Sequence, residues 1–264
     1  MAVAKKRSLL DTLAGRFDGL SRDEIYARIM CGEVIVEAAV VRDPKHLVRQ
    51  DCEITFRRRT FVSRGGEKLD VALEKHRIDV SGMVVLDAGA STGGFTECLL
   101  KRGASRVHAV DVGYNQLAYN LRTDTRVCVH ERCNIMAIES LDPQPDCAVA
   151  DLSFRSLRGA AVHLLNLVRR DTLLALVKPQ FEWKCPPTEF DGVVRSAEDT
   201  VTILHELIDD LADEGSRVIH VTESCITGRR GNKEYFFEVK SSRDLALNSI
   251  KSDIREVVFR NRRD

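Results

Sequence analysis

The chain has 264 residues, 44% hydrophobic and 30% charged, a composition typical of a globular protein and not of a disordered or fibrous one. Its 40 Lys and Arg residues balance 40 Asp and Glu residues, so the overall charge indicates no particular partner. No apolar run approaches the roughly 18 residues of a membrane-spanning helix, and the N-terminal lysines lack the apolar stretch of a secretory signal, so we expect a cytoplasmic protein with no membrane partner.

The first 56 residues are predicted to form a small α+β unit. Ser21 and Glu24 have the spacing of a capping box, in which each side chain bonds the other residue's backbone N–H at the start of a helix. Ile25 and Ile29 then lie one turn apart on a buried face, and Gly32 ends the helix. Short strands are expected at residues 34–36, 40–41 and 52–56.

Positive charge is concentrated at this end of the chain. Residues 1–62 hold 12 Lys and Arg against 9 Asp and Glu. Three consecutive arginines at 57–59 predict a basic linker, residues 57–62, between two domains. A small basic unit attached to a larger domain favours contact with a polyanion.

From residue 63 to residue 264, short apolar runs alternate with helical stretches, which predicts a doubly wound α/β domain. Several of the runs end in a polar or charged residue, and such sheets bind ligands beyond the carboxyl ends of their strands. The expected strands are 84–86, 106–110, 127–129, 148–150, 173–177 and 216–221. The expected helices are 96–102, 157–168 and 197–212.

The eight cysteines are scattered along the chain, and no pair has the C-x-x-C spacing of a zinc or redox site. Most of them lie in apolar contexts, where a free cysteine packs as a small hydrophobic residue. We therefore expect free thiols in a reducing compartment and no metal site.

A glycine-rich segment, residues 87–96, joins the first strand of this domain to a helix. Its glycines let the backbone approach a ligand without Cβ clashes. The segment is not G-x-G-x-x-G and lacks the Lys-Ser/Thr of a P-loop, which disfavours nucleoside triphosphate binding. Asp111 ends the next strand, where a carboxylate can accept hydrogen bonds from a ribose. This pattern is typical of S-adenosylmethionine-dependent methyltransferases, and a glycine-rich turn without a ligand is the alternative.

The predicted S-adenosylmethionine site comprises this loop, the strand-end acid and one residue after the third strand. That residue, Asn134, has a plain helix N-cap as its equally weighted alternative. The full set is Asp87, Gly89, Ala90, Ser91, Thr92, Gly93, Gly94, Phe95, Asp111 and Asn134.

Six motifs, at residues 63–69, 87–96, 109–114, 150–154, 177–182 and 231–236, occur in the order found in one family. On these motifs, almost the whole chain resembles the TlyA (hemolysin A) family. The resemblance implies an alpha-L RNA-binding domain, like the S-four domain of ribosomal proteins, at residues 1–56. It also implies an FtsJ-like ribose 2′-O-methyltransferase at residues 63–264, with the Rossmann-like class I fold of S-adenosylmethionine-dependent enzymes.

One turn departs from the alpha-L pattern. The motif usually has Asn-Gly after its V-x-V strand, whereas this chain has Glu37-Ala38, so we expect a different turn and leave open the nucleic-acid contact there. A small α+β interaction module is the alternative to an RNA-binding domain. The arginines expected to contact RNA are Arg7, Arg22, Arg28, Arg57, Arg58, Arg59 and Arg64.

The resemblance further implies a catalytic tetrad of Lys68, Asp151, Lys178 and Glu234. A ribose hydroxyl is a weak nucleophile, so methyl transfer needs a base that takes its proton. Lys178 matches that base, and burial together with the like charge of Lys68 is expected to depress its pKa. The two carboxylates would orient the two amines.

Other enzyme classes fit the same residues less well. Enzymes that methylate amino nitrogens of bases usually carry Asn/Asp-Pro-Pro-aromatic where this chain has residues 151–154. Carbon-5 pyrimidine enzymes need a cysteine nucleophile, for which Cys185 is the only candidate. An RNA- or ribosome-binding protein with an inactive methyltransferase fold and a secreted hemolysin are the remaining alternatives.

The substrate follows from the resemblance alone. It implies cytidine ribose in ribosomal RNA of the large subunit and, in longer members, of the small subunit too. Ribosomal RNA or ribosomal subunits are therefore the expected partners. A helical tail at residues 245–263 is expected to add phosphate contacts through Arg255, Arg260, Arg262 and Arg263.

Overall fold

The structure is a computed structural model in which the chain divides into two compact units, Met1–Thr60 and Phe61–Asp264. It describes residues 6–30, 33–49, 51–56, 60–153, 155–228, 230–241 and 250–260, without the side chain of Ala27. The predicted basic cluster at 57–59 and both ends of the predicted tail, residues 245–249 and 261–263, lie outside the described residues.

The first unit consists of two short sheets and two helices. β2 pairs with both β3 and β5, and β1 pairs with β4, all antiparallel. Their apolar faces share one core with the helices, including Leu9, Leu13, Ile25 and Ile29. The elements are β1 (Lys6–Ser8), α1 (Leu9–Arg16), α2 (Arg22–Met30), β2 (Val34–Val36), β3 (Ala39–Val41), β4 (Leu47–Arg49) and β5 (Ile54–Phe56).

The predicted capping box forms at the start of α2. Ser21 N–H donates to Glu24 Oε2 at 2.9 Å, and Glu24 N–H donates to Ser21 Oγ at 3.2 Å. These bonds satisfy backbone donors that have no partner inside the helix. One turn later, Ile25 and Ile29 are fully buried, as their spacing predicted.

The turn between β2 and β3 corrects one expectation. Glu37 and Ala38 both have positive φ, 47° and 70°, as a two-residue type I′ hairpin requires and as Asn-Gly would readily adopt. The expectation of a different turn is therefore wrong. The hairpin keeps its backbone path even though neither residue favours the left-handed region, and Glu37 N–H donates to the Glu53 carbonyl at 3.0 Å.

The second unit alternates helices and strands. Its first elements are α3 (Arg64–Lys75), β6 (Val84–Ala88), α4 (Gly94–Lys101), β7 (Arg106–Val110), α5 (Tyr119–Arg122), β8 (Val127–His130) and β9 (Cys147–Ala150). The later elements are α6 (Ala160–Leu167), β10 (Leu173–Val177), α7 (Pro179–Glu182), α8 (Ala197–Asp213), β11 (Ser216–Glu223), β12 (Tyr235–Ser241) and α9 (Ile250–Arg260). α9 lies within the predicted helical tail.

These strands form one seven-stranded sheet in the order β11-β12-β10-β9-β6-β7-β8. The five strands from β10 to β8 are parallel, and β12 is antiparallel to both of its neighbours. β12 was not predicted from the sequence, although the residues Tyr235, Phe236 and Phe237 are fully buried and have high strand propensity. The mostly parallel α/β sheet confirms the predicted fold class.

Helices cover both faces of the sheet. Side chains of α3 and α4, among them Leu69 and Leu99, form the core on one face, and α6, α8 and α9 contribute Leu164, Leu204 and Ile254 on the other. Phe61 belongs to the first of these cores, although the sequence pattern assigned it to the linker. Burial on both faces explains why the central strands are nearly all apolar.

Neither a membrane span nor a disulfide bond contributes to the part of the chain that the structure describes. Within the described ranges, no helix combines the length and apolar character needed to cross a bilayer. The cysteines of the described residues carry free thiols; Cys52, Cys98 and Cys147 are buried, and Cys185 and Cys225 are exposed.

Candidate active site

The predicted site residues meet at one edge of the sheet. Gly89, Asp111, Asp151 and Lys178 each follow directly after a parallel strand, namely β6, β7, β9 and β10. Glu234 directly precedes β12. Because β12 runs antiparallel, its first residue pairs with the last residue of β10, Tyr235 with Val177, and Glu234 reaches the same edge.

The glycine loop bends against the strand that carries Asp151. Gly89 has φ +90°, and a Cβ added there would lie 2.5 Å from the carbonyl oxygen of Asp151. Gly89 N–H and Ala90 N–H both donate to the Val110 carbonyl, at 2.8 and 3.1 Å. Glycine at position 89 therefore lets the loop and the end of β9 approach more closely than a side chain would allow.

Asp111 is fixed by the same loop. One of its carboxylate oxygens accepts Ser91 N–H at 2.8 Å, and the other accepts Gly113 N–H at 2.7 Å. A carboxylate oxygen can accept more than one hydrogen bond. Asp111 thus remains able to accept the hydroxyls of a ribose placed over the loop.

Asp87 lies beneath the loop. It is fully buried, its Oδ2 accepts the Thr96 hydroxyl at 2.6 Å, and its Oδ1 has no hydrogen-bond partner among the described residues. Burial raises the pKa of Asp87 to about 7, against the hydrogen bond from Thr96, and the negative charges of Asp151 and Asp111 raise it further. Asp87 is therefore a buried acid with one oxygen open to a further polar partner.

The remaining predicted cofactor residues differ in exposure. Ser91 and Thr92 are exposed at the tip of the loop, whereas Phe95 is buried and its ring lies 6.2 Å from that of Phe236. Asn134 caps a short 3-10 helix by accepting Met136 N–H at 3.1 Å. Gly93 and Gly94 start α4, and a Cβ at Gly94 would clash with Ser63 Oγ.

The four predicted tetrad residues form two lysine–carboxylate ion pairs. Lys68 Nζ lies 2.5 Å from Glu234 Oε2, and Lys178 Nζ lies 2.5 Å from Asp151 Oδ1. The side chains of Lys68 and Glu234 are 10% and 4% exposed, whereas those of Lys178 and Asp151 are 11% and 28% exposed. Each lysine therefore lies against its own carboxylate, while the orienting role of the two carboxylates stays a prediction.

Two features near these residues were not predicted as site residues. Lys178 Nζ donates to Ser153 Oγ at 3.2 Å, and Ser153 was recognisable only as part of the motif at 150–154. Beyond Asp111, Tyr114 is 62% exposed, and the guanidinium carbon of Arg132 lies 4.0 Å from its ring centroid. No sequence signal linked Arg132 to Tyr114.

The predicted RNA-contacting arginines are distributed over both units. Arg7 is exposed on β1, Arg22 pairs with Asp11 at 2.7 Å, and the guanidinium carbon of Arg28 lies 5.2 Å from the ring centroid of Phe56. In the second unit, Arg64 in the first turn of α3 donates to the Thr227 carbonyl. Arg57, Arg58 and Arg59 lie outside the described residues.

A glycine loop and a strand-end acid lie beside two lysine–carboxylate ion pairs. The family that the sequence matches agrees with this arrangement. The model described as FtsJ-like methyltransferase matches residues 61–240. The chain belongs to the FtsJ-like methyltransferase family. The enzyme class predicted from the sequence, a methyltransferase, is confirmed.

Two named relatives place the chain more closely within this family. It is similar to the 16S/23S rRNA (cytidine-2′-O)-methyltransferase TlyA of Mycobacterium tuberculosis, with 39% identity over 87% of this chain and 88% of the relative. It is also similar to Hemolysin A of Brachyspira hyodysenteriae, with 37% identity over 81% of this chain and 92% of the relative. The predicted membership of the TlyA (hemolysin A) family is confirmed.

Solved structures agree with the family. A protein of Streptococcus thermophilus, provisionally described as a hemolysin, has a TM-score of 0.74 and 31% identity, covering 98% of this chain and 96% of its own. A provisionally described RNA methyltransferase from Pyrococcus horikoshii has a TM-score of 0.51 and 15% identity, covering 70% of this chain and 87% of its own. At that identity the second likeness concerns the fold alone.

Proposed function

We propose that this FtsJ-like methyltransferase transfers a methyl group from S-adenosylmethionine to the ribose 2′-hydroxyl of cytidine in ribosomal RNA. The observation that carries the proposal is the Lys178–Asp151 ion pair, which lies at the end of β9 and β10 directly beside the glycine loop. The name of the mycobacterial relative supports the substrate. Ribosomal RNA as substrate implies that the enzyme acts in the cytoplasm.

The residues fit S-adenosylmethionine. The loop from Gly89 to Gly94 gives a backbone surface without bulky side chains, Asp111 offers acceptor oxygens for a ribose, and the unpartnered Oδ1 of Asp87 offers an acceptor for a cationic group. When bound, S-adenosylmethionine supplies an electrophilic methyl group on a sulfonium centre. Asn134, 3.1 Å from Met136 N through its side-chain oxygen, keeps its amide nitrogen for the adenine.

In this proposal Lys178 is the base that removes the proton of the attacking hydroxyl. In its neutral form Nζ would accept the proton of the 2′-hydroxyl as the oxygen bonds to the methyl carbon and the carbon–sulfur bond of the sulfonium breaks, which leaves S-adenosylhomocysteine. Asp151 holds Nζ at 2.5 Å and stabilises the ammonium that results. Ser153, 3.2 Å from Nζ, fixes the direction of the amine, and the enclosed Lys68–Glu234 pair positions α3 against β12.

We assign the first unit to RNA binding, with alpha-L character. Its exposed basic side chains Arg7 and Arg22 would contact phosphates. Replacing Arg22 by Gln should weaken binding to ribosomal RNA and flatten its salt dependence by roughly 0.7–0.9 in logarithmic slope for each phosphate that is no longer neutralised. Arg126→Gln removes a similarly exposed arginine, paired with Asp124 in the other unit, and serves as the control.

A labelled-methyl assay tests the proposed reaction. Purified enzyme is incubated with S-adenosylmethionine carrying a labelled methyl group and, separately, with large subunits, small subunits and naked ribosomal RNA, followed by digestion to nucleosides. We expect label in 2′-O-methylcytidine from the large subunit, and from the small subunit if both are substrates. Label confined to a base would contradict the proposal and indicate a base methyltransferase, whereas no label with any of these substrates would contradict it and favour an RNA-binding protein. Release of haemoglobin from erythrocytes in a parallel assay would instead support a hemolysin.

A further inference from the structure

Two histidines and a glutamate meet nearer the opposite end of β12 from Glu234 and the candidate active site. His76 is the C-cap of α3, His220 lies in β11 and Glu238 lies in β12. One ligand atom from each side chain can be chosen so that all three lie within 4.8 Å of one another. The His76 side chain is fully buried and that of Glu238 is 13% exposed, while His220 is partly exposed.

The contacts of His76 indicate which atoms face a ligand. Its Nε2 lies 2.9 Å from Thr222 Oγ1, and its Nδ1 lies 3.4 Å from Glu238 Oε2. If Nε2–H donates to the hydroxyl, the lone pair of Nδ1 faces a carboxylate oxygen. In that tautomer a metal ion between the two acceptors removes their repulsion, whereas in the other tautomer Nδ1–H donates to Glu238 Oε2 and Nε2 accepts the Thr222 hydroxyl.

We propose that His76, His220 and Glu238 bind a divalent transition-metal ion of the zinc class. Two imidazoles and a carboxylate are a donor set that Zn²⁺ accepts with a fourth position left for water. Bonds of about 2.0–2.2 Å at a tetrahedral angle place two ligand atoms about 3.3–3.5 Å apart. The 3.4 Å between Nδ1 and Oε2 fits this spacing before any movement.

The contacts of His76 with His220 and with Thr222 also favour a metal ion at this cluster. The ring centroids of His76 and His220 lie 4.3 Å apart, and one nitrogen of each imidazole lies within 4.8 Å of the other and of a Glu238 carboxylate oxygen. The Thr222 hydroxyl would hold the second nitrogen of His76, as outer groups commonly orient a metal-binding imidazole. Besides His76 and Glu238, Asp253 of α9 adds a negative charge near His220 and Arg77 adds a positive one.

The proposed metal site would connect α3 to β12, the same two elements that the buried Lys68–Glu234 ion pair connects. His76 follows Lys68 by eight residues on the same helix axis, about 12 Å away at helical rise. Glu238 follows Glu234 by four residues, about 13 Å away along β12. A bound ion would therefore fix α3 against β12 at the end opposite the Lys68–Glu234 contact.

Metal titration of the full chain tests this proposal. The exposed Cys185 and Cys225 are first replaced by Ser, because thiolates bind zinc independently. After dialysis against a chelator, the protein is titrated with ZnCl₂ by calorimetry and with CoCl₂ by absorption spectroscopy. We expect one equivalent to bind, Zn²⁺ to raise the Tm, and His220→Ala and Glu238→Gln each to weaken binding at least 100-fold.

The exposed His46 provides the matched control, because His46→Ala removes an imidazole from the other unit and should leave the affinity unchanged. Circular dichroism of each variant checks that it is folded, and Glu238→Gln, nearly identical in shape, decides the matter if His220→Ala unfolds. No binding, or binding that both cluster variants retain, would overturn the proposal and leave a hydrogen bond from His76 Nδ1–H to Glu238 Oε2 as the explanation of their contact.

Discussion

The two ion pairs at the strand ends share a chemistry and a distance but differ in their surroundings. Each joins a lysine to a carboxylate at 2.5 Å. The carboxylate of the first pair, Glu234, is 4% exposed, whereas that of the second, Asp151, is 28% exposed. The second pair also includes the hydroxyl of Ser153 and lies beside the glycine loop. We infer from the difference in carboxylate exposure that the first pair holds structure and the second can meet a substrate, although the two lysine side chains are similarly buried, at 10% and 11% exposed.

The two ion pairs are expected to differ in role because the removal of charges from water costs free energy. An enclosed ion pair is stable only while both partners remain, because removal of one leaves an uncompensated buried charge. A pair open on one side can exchange a proton with a substrate hydroxyl and can be rehydrated when a partner is removed. We therefore assign positioning to Lys68–Glu234 and proton transfer to Lys178–Asp151.

Removal of the reacting amine should have the largest effect. Lys178→Ala should lower turnover by roughly 10²–10⁴-fold, about 2.7–5.5 kcal/mol in activation free energy, while affinity for S-adenosylmethionine persists because the glycine loop is untouched. Lys68→Ala should keep part of the turnover. Single-turnover rates and calorimetry with the cofactor measure both effects, and equal losses of rate in the two variants would remove the distinction between the pairs.

The same comparison applies to folding stability. Glu234→Gln leaves the Lys68 ammonium without its carboxylate in an enclosed site and should cost about 3–5 kcal/mol of unfolding free energy. Asp151→Asn should cost less, about 1 kcal/mol, because Asp151 itself is 28% exposed and water can approach the pair from that side, although the Lys178 side chain is about as buried as that of Lys68. Urea unfolding at pH 7 measures both values. A larger loss in Asp151→Asn than in Glu234→Gln would reverse the assignment.

Asp87 links stability to pH near the second pair. Burial raises the pKa of Asp87 to about 7 from the ordinary carboxyl value of 3.8, so between about pH 4 and pH 7 the folded state retains a proton that the unfolded state loses. The contribution of Asp87 to stability therefore falls as pH rises through this window, at most by about 1.4 kcal/mol per pH unit.

Unfolding free energies at pH 5, 6 and 7 test this linkage. Asp87→Asn should show a flatter dependence than the parent protein. Asp151→Asn should shift the dependence to lower pH, because the charge of Asp151 helps to raise the pKa of Asp87, whereas Glu234 is not among the groups that raise it. If the unfolding free energy of Asp87→Asn changed with pH as steeply as that of the parent protein, another group would be responsible for the pH dependence.

The smallest expected effect concerns Ser153, whose hydroxyl contacts the Lys178–Asp151 pair. Ser153→Ala removes the 3.2 Å hydrogen bond from Lys178 Nζ and should reduce turnover about 5- to 10-fold, as expected for about 1 kcal/mol of positioning energy. Ser156→Ala, a substitution of a nearby serine that bonds Glu182 instead, is the control. A rate equal to that of the parent enzyme would show that Asp151 alone directs the amine.

The sequence predicted where the candidate site residues lie along the strands better than which of them form ion pairs. Gly89 and Asp111 stand where strand ends were expected, because apolar runs mark strands and the order of parallel strands brings their ends together. The pairing of Lys68 with Glu234 spans 166 residues and depends on β12 running antiparallel. Since that strand was not predicted, nothing in the sequence assigned each carboxylate to its lysine.

Two further features show why local patterns were insufficient. The turn at Glu37-Ala38 keeps positive φ at both residues because pairing of β2 with β3 and β5 outweighs their local preference. The cluster of His76, His220 and Glu238 is assembled from α3, β11 and β12. A search for metal sites based on the spacing of neighbouring residues cannot find ligands so far apart in the chain.

The central claim is that Lys178 accepts the proton, and Lys178→Arg tests it most directly. A guanidinium preserves positive charge beside Asp151 but stays protonated and cannot act as a base. Single-turnover methyl transfer to ribosomal RNA at saturating S-adenosylmethionine should fall as far in Lys178→Arg as in Lys178→Ala. Substantial transfer by Lys178→Arg would contradict the account, showing that residue 178 supplies only charge and that the base must be sought elsewhere, with Asp151 first.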